Sequence, residues 1–142
     1  MTREELIKLM QDAINNNSDI KTLCEYDLFI IKYVINQLKE NKVSIGDFAI
    51  GVDLLFNNSE NEDVLKYLIK KGDNKELIKY VENNEKEIKE TYTDESLYTT
   101  PVQHILNTLF FFFMIFTFEY LDYDFETSDV GFKEFLFLKL EI

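Results

Sequence analysis

The run Leu109-Phe110-Phe111-Phe112-Phe113-Met114-Ile115-Phe116 is the most apolar stretch of this chain, and its reading decides the fold. It follows a strong helix start. Thr100-Pro101-Val102-Gln103 puts a hydroxyl at the N-cap, proline at the first helical position and glutamine at the third. Thr100 can then accept from the Gln103 amide while the Gln103 side chain reaches back. Val102, Ile105, Leu106, Leu109, Phe113 and Phe116 recur at three- and four-residue steps, which lines one helical face. The spacing predicts a buried central helix. A membrane span needs about 20 mostly apolar residues, and any such window here takes in Gln103, His104, Asn107, Thr108 and Glu119.

The chain upstream reads as helices arranged to cover that segment. Thr2 and Glu5 form a capping box ahead of Leu6, Leu9, Met10 and Ala13, and Asn15-Asn16-Asn17 closes this first helix. Ser18 or Asp19 caps a second segment reaching about Glu40, with a break near Asp27. Its Leu28, Ile30, Ile31, Val34, Ile35 and Leu38 leave only a narrow polar strip of Lys32, Asn36 and Lys39, so burial on most sides is expected. Ser44 and Asp47 open a third helix with the stripe Ile45, Phe48, Ala49, Val52 and Phe56, in which Gly46 and Gly51 mark either a close helix crossing or tolerated exceptions. Ser59 and Glu62 form another capping box, and the segment behind it stops at Gly72. Asp63-Val64-Leu65-Lys66-Tyr67-Leu68 resembles Glu76-Leu77-Ile78-Lys79-Tyr80-Val81, which suits two short helices joined at Gly72-Asp73. From Glu82 to Ser96 the apolar pattern thins to Ile88 and Tyr92 among acids, the signature of a solvated helix end and a loop.

After Phe116 the period changes. Phe116, Phe118 and Tyr120 alternate with Thr117 and Glu119, and Leu121, Tyr123 and Phe125 alternate with Asp122, Asp124 and Glu126. Thr127 to Gly131 is a turn candidate, and Leu136, Leu138, Leu140 and Ile142 alternate with polar or aromatic neighbours. This predicts a C-terminal β-hairpin on a bundle of about six helices. The alternative is all-α, with one helix continuing to about Tyr123 and a last one capped by Ser128. At 142 residues the chain suits one domain, 1–142, with a helical part over about 2–116 and an aromatic, acidic segment over about 117–142.

Composition narrows the function classes. The chain is 46% hydrophobic and 15% aromatic, with one proline and four glycines, as in folded proteins. Its formal charge is −12 and Arg3 is its one arginine, poor material for gripping phosphates. Such acidity steers a protein toward basic partners and away from polyanions and anionic membranes. Cys24 stands alone, so no internal disulfide forms, and the acidic Met1-Thr2-Arg3-Glu4-Glu5 start lacks a signal-peptide pattern. Both observations suit a reducing, cytoplasmic setting.

Catalytic chemistry is sparsely supplied. His104 is the one histidine, so multi-histidine metal sites are excluded and no Ser-His-Asp or Cys-His signature assembles locally. Its competing readings are a hydrogen-bonded structural residue and a lone base. The glycines are scattered, with no phosphate loop, and no cofactor is expected. Asp122-x-Asp124-x-Glu126 opens like a calcium loop, but Thr127 stands where glycine is required and Lys133 where glutamate is required. What remains is an acidic, tyrosine-bearing surface of Glu119, Tyr120, Asp122, Tyr123, Asp124, Glu126 and Asp129. Tyrosines supply contact area and carboxylates supply complementarity to lysine and arginine. The profile is that of an immunity- or antitoxin-like inhibitor that occludes a basic toxin such as a nuclease. Two alternatives remain: an assembly protein that forms homo-oligomers through the C-terminal segment, and an enzyme using His104.

Overall fold

Eight α-helices and no strand make up the architecture among the residues described, 1–91 and 98–140 of a computed structural model. The helices are α1 Arg3–Asn16, α2 Glu25–Lys39, α3 Ile45–Asn57, α4 Leu65–Leu68, α5 Asp73–Asn83, α6 Glu85–Glu90, α7 Pro101–Ile115 and α8 Phe132–Lys139. Short 3-10 turns at Ile20–Thr22 and Glu62–Val64 precede α2 and α4, and α7 runs directly into a π-helical turn at Phe116–Tyr120.

Local chemistry places most helix starts. Thr2 accepts from the Glu5 amide at 3.1 Å, Ser44 from Asp47 at 3.1 Å and Thr100 from Gln103 at 3.0 Å. The Gln103 side chain does not return to Thr100; it donates instead to the Ser59 carbonyl and to Asn107 Oδ1. Two expected caps are displaced to asparagines. Asn17, rather than Ser18 or Asp19, accepts from the Asp19 and Ile20 amides, each at 3.0 Å, and Asn61 rather than Ser59 caps the turn before α4. An asparagine carbonyl reaches its own downstream amides as well as a hydroxyl does. The break in the second segment falls before Asp27, at Leu23-Cys24, so Asp27 lies in the first turn of α2.

The buried side chains form one core, with Ile105, Leu106, Leu109, Phe112, Phe113 and Phe116 of α7 and its π turn at its centre. α2 and α5 pack against α7, α1 against α2, and α3 against α4, α7 and α8. On α2 the strip Lys32, Asn36 and Lys39 is exposed, as its pattern predicts. Gly51 marks a close crossing: a Cβ there would lie 2.7 Å from Leu68 Cδ2 and 3.0 Å from Tyr67 Cβ. Gly72, at φ 100°, turns the chain into α5. Arg3 reaches the C-terminal end of α2, donating to the Leu38 carbonyl at 3.4 Å and to Asn41 Oδ1. The single guanidinium is thereby spent inside the fold.

The helix count exceeds six for two reasons. At Asn84 the side-chain amide donates to the Tyr80 carbonyl at 2.8 Å, taking the acceptor that the Asn84 amide would use in a continuous helix, and α6 begins anew behind it. The second reason is α8, which replaces the expected β-hairpin. Leu138 is 68% exposed between buried Leu136 and Leu140, so the apparent alternation there resolves into a helical stripe of Phe132, Phe135, Leu136 and Leu140. Likewise Phe112, Phe116 and Tyr120 stack at successive four-residue steps with centroids 5.8 Å apart, extending the helix where alternation suggests a strand. A lone hairpin is marginal in water; helix plus aromatic packing buries more. Tyr92, Asp94, Glu95 and Ser96 of the expected loop, and Glu141 and Ile142, lie outside the described residues.

Candidate functional site

Beyond Leu109 the helix presents two apolar faces. One is the core; the other carries Phe111, Met114 and Phe118, all exposed, with Phe118 at 55%. Their three- and four-residue spacing makes a continuous outer stripe. The segment after the π turn folds back beside it. Leu121 N–H donates to the Phe116 carbonyl at 3.2 Å and Tyr123 N–H to the Thr117 carbonyl at 3.1 Å, with Asp122 left-handed at φ 59° between them. Aspartate tolerates that region better than most residues. Tyr123 then anchors the loop: its hydroxyl donates to the Val130 carbonyl at 2.8 Å, and its ring packs on Phe125, Phe132 and Phe135. Phe56 of α3 ties the same cluster to Phe110, Phe125 and Phe132.

Between helix and loop lies an open groove of ≈460 Å³, lined by Met114, Ile115, Phe118 and Phe125 and rimmed by Glu119, Asp124 and Glu126. Asp124 Oδ1 accepts from the Glu126 amide at 2.9 Å and the Thr127 amide at 3.3 Å. These bonds, the Glu126 amide foremost, hold its carboxyl below the usual range.

The expected site residues divide into three groups. Glu119, Asp124 and Glu126 converge on the rim. Glu119 also accepts from Asn17 Nδ2, which fixes the π turn to the end of α1. Asp122 and Asp129 are exposed beside the groove without lining it. Tyr120 is half-buried on Phe116, and Tyr123, 7% exposed, belongs to the core-facing side of the loop. The groove floor of Met114, Ile115, Phe118 and Phe125 has a signal in the sequence, since Phe111, Met114 and Phe118 fall opposite Leu109, Phe113 and Phe116 on a helical wheel. The described residues hold no group of three or more His, Cys, Asp or Glu placed to bind a metal ion.

A second polar feature sits at the other end of α7. His104 Nε2 and Asp27 Oδ1 are 2.6 Å apart, and the two residues are 2% and 3% exposed. An ionised carboxylate only accepts, so imidazole Nε2–H is the donor. The Tyr98 ring lies 5.2 Å from the imidazole, and burial pushes its hydroxyl up to about 12. The pair floors a cavity of ≈620 Å³ that also receives Cys24. Burial, reinforced by the charge of Asp27, pushes the Cys24 thiol up, against the thiolate a nucleophile needs. His104 is thus bound to a carboxylate on α2.

The stretch Pro101–Tyr120 is long and apolar enough to cross a membrane by length and composition, and half of its 18-residue window is buried within the protein. No family model, curated protein or solved structure matches the chain.

Proposed function

We propose that this chain is an acidic protein-binding domain whose groove beside α7 receives an apolar anchor from a basic partner. The observation that carries this reading is the floor of exposed Met114, Phe118 and Phe125 with half-buried Ile115, inside a rim of Glu119, Asp124 and Glu126. Exposed methionine and phenylalanine in one patch offer adaptable contact area. The carboxylates around them select a lysine- or arginine-bearing surface and raise its rate of encounter. In its specific form the proposal is an immunity- or antitoxin-like inhibitor working in the cytoplasm. Seated over the active site of a basic toxin such as a nuclease, it would act by occlusion, with no chemistry of its own.

Self-association through the same segment is the weaker alternative, because it would bring acidic rims from a chain of charge −12 against each other. A membrane-surface role meets the same repulsion from anionic lipids.

The test is affinity capture from the native host at low salt and at about 0.5 M salt, where charge steering is screened, with wild type, Phe118→Ser and Glu126→Lys run in parallel. A basic protein held by wild type at low salt, lost from both variants and inhibited in its own activity by wild type supports the proposal. Equal capture by all three overturns it.

A further inference from the structure

Where α2 meets α5 the protein carries an aromatic cluster that shares no residue with the groove beside α7. Tyr26, Phe29 and Tyr33 fall at three- and four-residue steps along α2, which sets them on one helical face. Tyr80 of α5 completes the cluster: its ring stacks on Phe29 with centroids 3.9 Å apart and lies 6.4 Å from Tyr26. Phe29 remains 39% exposed. We propose that this surface docks an arginine-bearing peptide segment of a partner protein, one guanidinium lying against Phe29 and paired with Glu25, a second paired with Glu76 beside Tyr33.

Carboxylates stand at both ends of the cluster. The Tyr33 hydroxyl donates to the Asp73 carbonyl at 3.0 Å and lies 3.3 Å from Glu76 Oε2. At the other end burial, and then the charge of Glu25, push the Tyr26 and Tyr80 hydroxyls up, with Glu87 adding to the effect on Tyr26. Among the described residues these carboxylates and rings have no lysine partner. The ion pairs of Lys42, Lys66 and Lys89 take Glu40, Asp73, Asp63 and Glu85, and the lysines set over rings, Lys89 and Lys133, lie on Tyr98 and Phe137. Lys32 lines a separate groove with Gln11 and Asn15 of α1. An exposed ring flanked by carboxylates and lacking an internal cation suits an external one.

Geometry selects arginine. A guanidinium is planar, so it stacks on a ring and meets a carboxylate through parallel N–H groups, where an ammonium is a hydrated point charge. From Tyr26 to Tyr33 the helix rises about 10 Å at ~1.5 Å per residue, and three residues of extended chain cover about the same distance. Two arginines three residues apart therefore match the two carboxylate ends. A second copy of this chain does not supply them: its one arginine, Arg3, is bound to the Leu38 carbonyl and Asn41, and it brings a charge of −12. Polyanions meet the same repulsion.

The test is a ¹H–¹⁵N NMR titration of the full chain with a capped peptide carrying two arginines three residues apart, against the same peptide with lysine or with uncharged citrulline in their place. The arginine peptide should give saturable shifts centred on residues 25–33 and 76–80, with the lysine peptide weaker by about fivefold and the citrulline peptide not saturating. Phe29→Ala should weaken binding by about fivefold. Glu25→Gln with Glu76→Gln, at exposed positions and with an acceptor kept for Tyr33, should weaken it by about tenfold without touching the core. Phe118→Ser should leave it unchanged, which separates this surface from the groove beside α7. Citrulline binding as tightly as arginine overturns the proposal. So do affinities unchanged in both the Phe29 and the glutamate variants, or shifts centred on residues 114–126 and lost in Phe118→Ser.

Discussion

The two ends of α7 break the inside-outside rule in opposite directions. At its N-terminal end the helix buries a histidine against a carboxylate, and at its C-terminal end it leaves Phe111, Met114 and Phe118 in solvent. The first departure is satisfied internally, because His104 and Asp27 meet at 2.6 Å. The second is not: Met114 and Phe118 face a groove whose lining charges, among the described residues, are all negative, and Phe111 borders the cavity near His104. A polar group buried and paired reports on how the fold is held together; apolar groups exposed and ringed by one sign of charge report on what the fold is for.

That contrast predicts unequal responses to mutation. His104→Ala leaves the Asp27 carboxylate buried without its imidazole, at an expected cost of about 3–5 kcal/mol in urea unfolding. A loss below about 1 kcal/mol would show that the pair is not what ties α2 to α7. Asn17→Ala removes acceptors from the Asp19 and Ile20 amides and the donor to Glu119, with an expected loss of about 2 kcal/mol. In that variant exchange protection should fall at the π turn as well as at the end of α1, which hydrogen-exchange NMR reads directly.

Phe118→Ser reverses the pattern. Stability should stay within about 0.5 kcal/mol of wild type, while partner affinity falls by about 2 kcal/mol, near thirtyfold, by titration calorimetry. Destabilisation without loss of binding would move Phe118 into the structural group. Asp122 and Asp124 are poorer probes of the rim. One occupies a left-handed backbone position and the other caps the loop amides, so substituting either disturbs the loop as well as the charge.

The smallest effect is expected with acid. The folded-state carboxyl of Asp124 titrates below its unfolded value, so its contribution is fully present above about pH 4 and is lost as pH falls through the lowered folded value. Asp73, held low first by its hydrogen bond from Lys42, follows the same sign. Urea midpoints of Asp124→Asn and wild type should therefore converge as pH drops from about 5 to about 2. A gap that widens in acid would reverse that sign.

How much was legible in the sequence follows from the range of each interaction. The caps at Thr2, Ser44 and Thr100 act over three residues, and the core face of α7 is a spacing pattern, so both can be read without a fold. The aromatic segment after Phe116 resists reading because alternate apolar residues over a few positions suit a strand, and stacking every fourth residue suits a helix. Of the acidic surface, Glu119, Asp124 and Glu126 come to one rim, whereas Tyr123 faces inward, since alternation says that two faces exist and not which one is covered.

By itself the sequence determined the helical class, the central place of α7, the acidic character and the lack of a local catalytic signature, because each depends on composition or near-neighbour spacing. Only the tertiary structure decided that His104 meets an aspartate 77 residues away and that Phe56 gathers the C-terminal aromatics. It likewise set Met114 and Phe118 beside three carboxylates in one groove. Those contacts join segments far apart in the chain, and their energy comes from burial shared between elements, which no single segment carries.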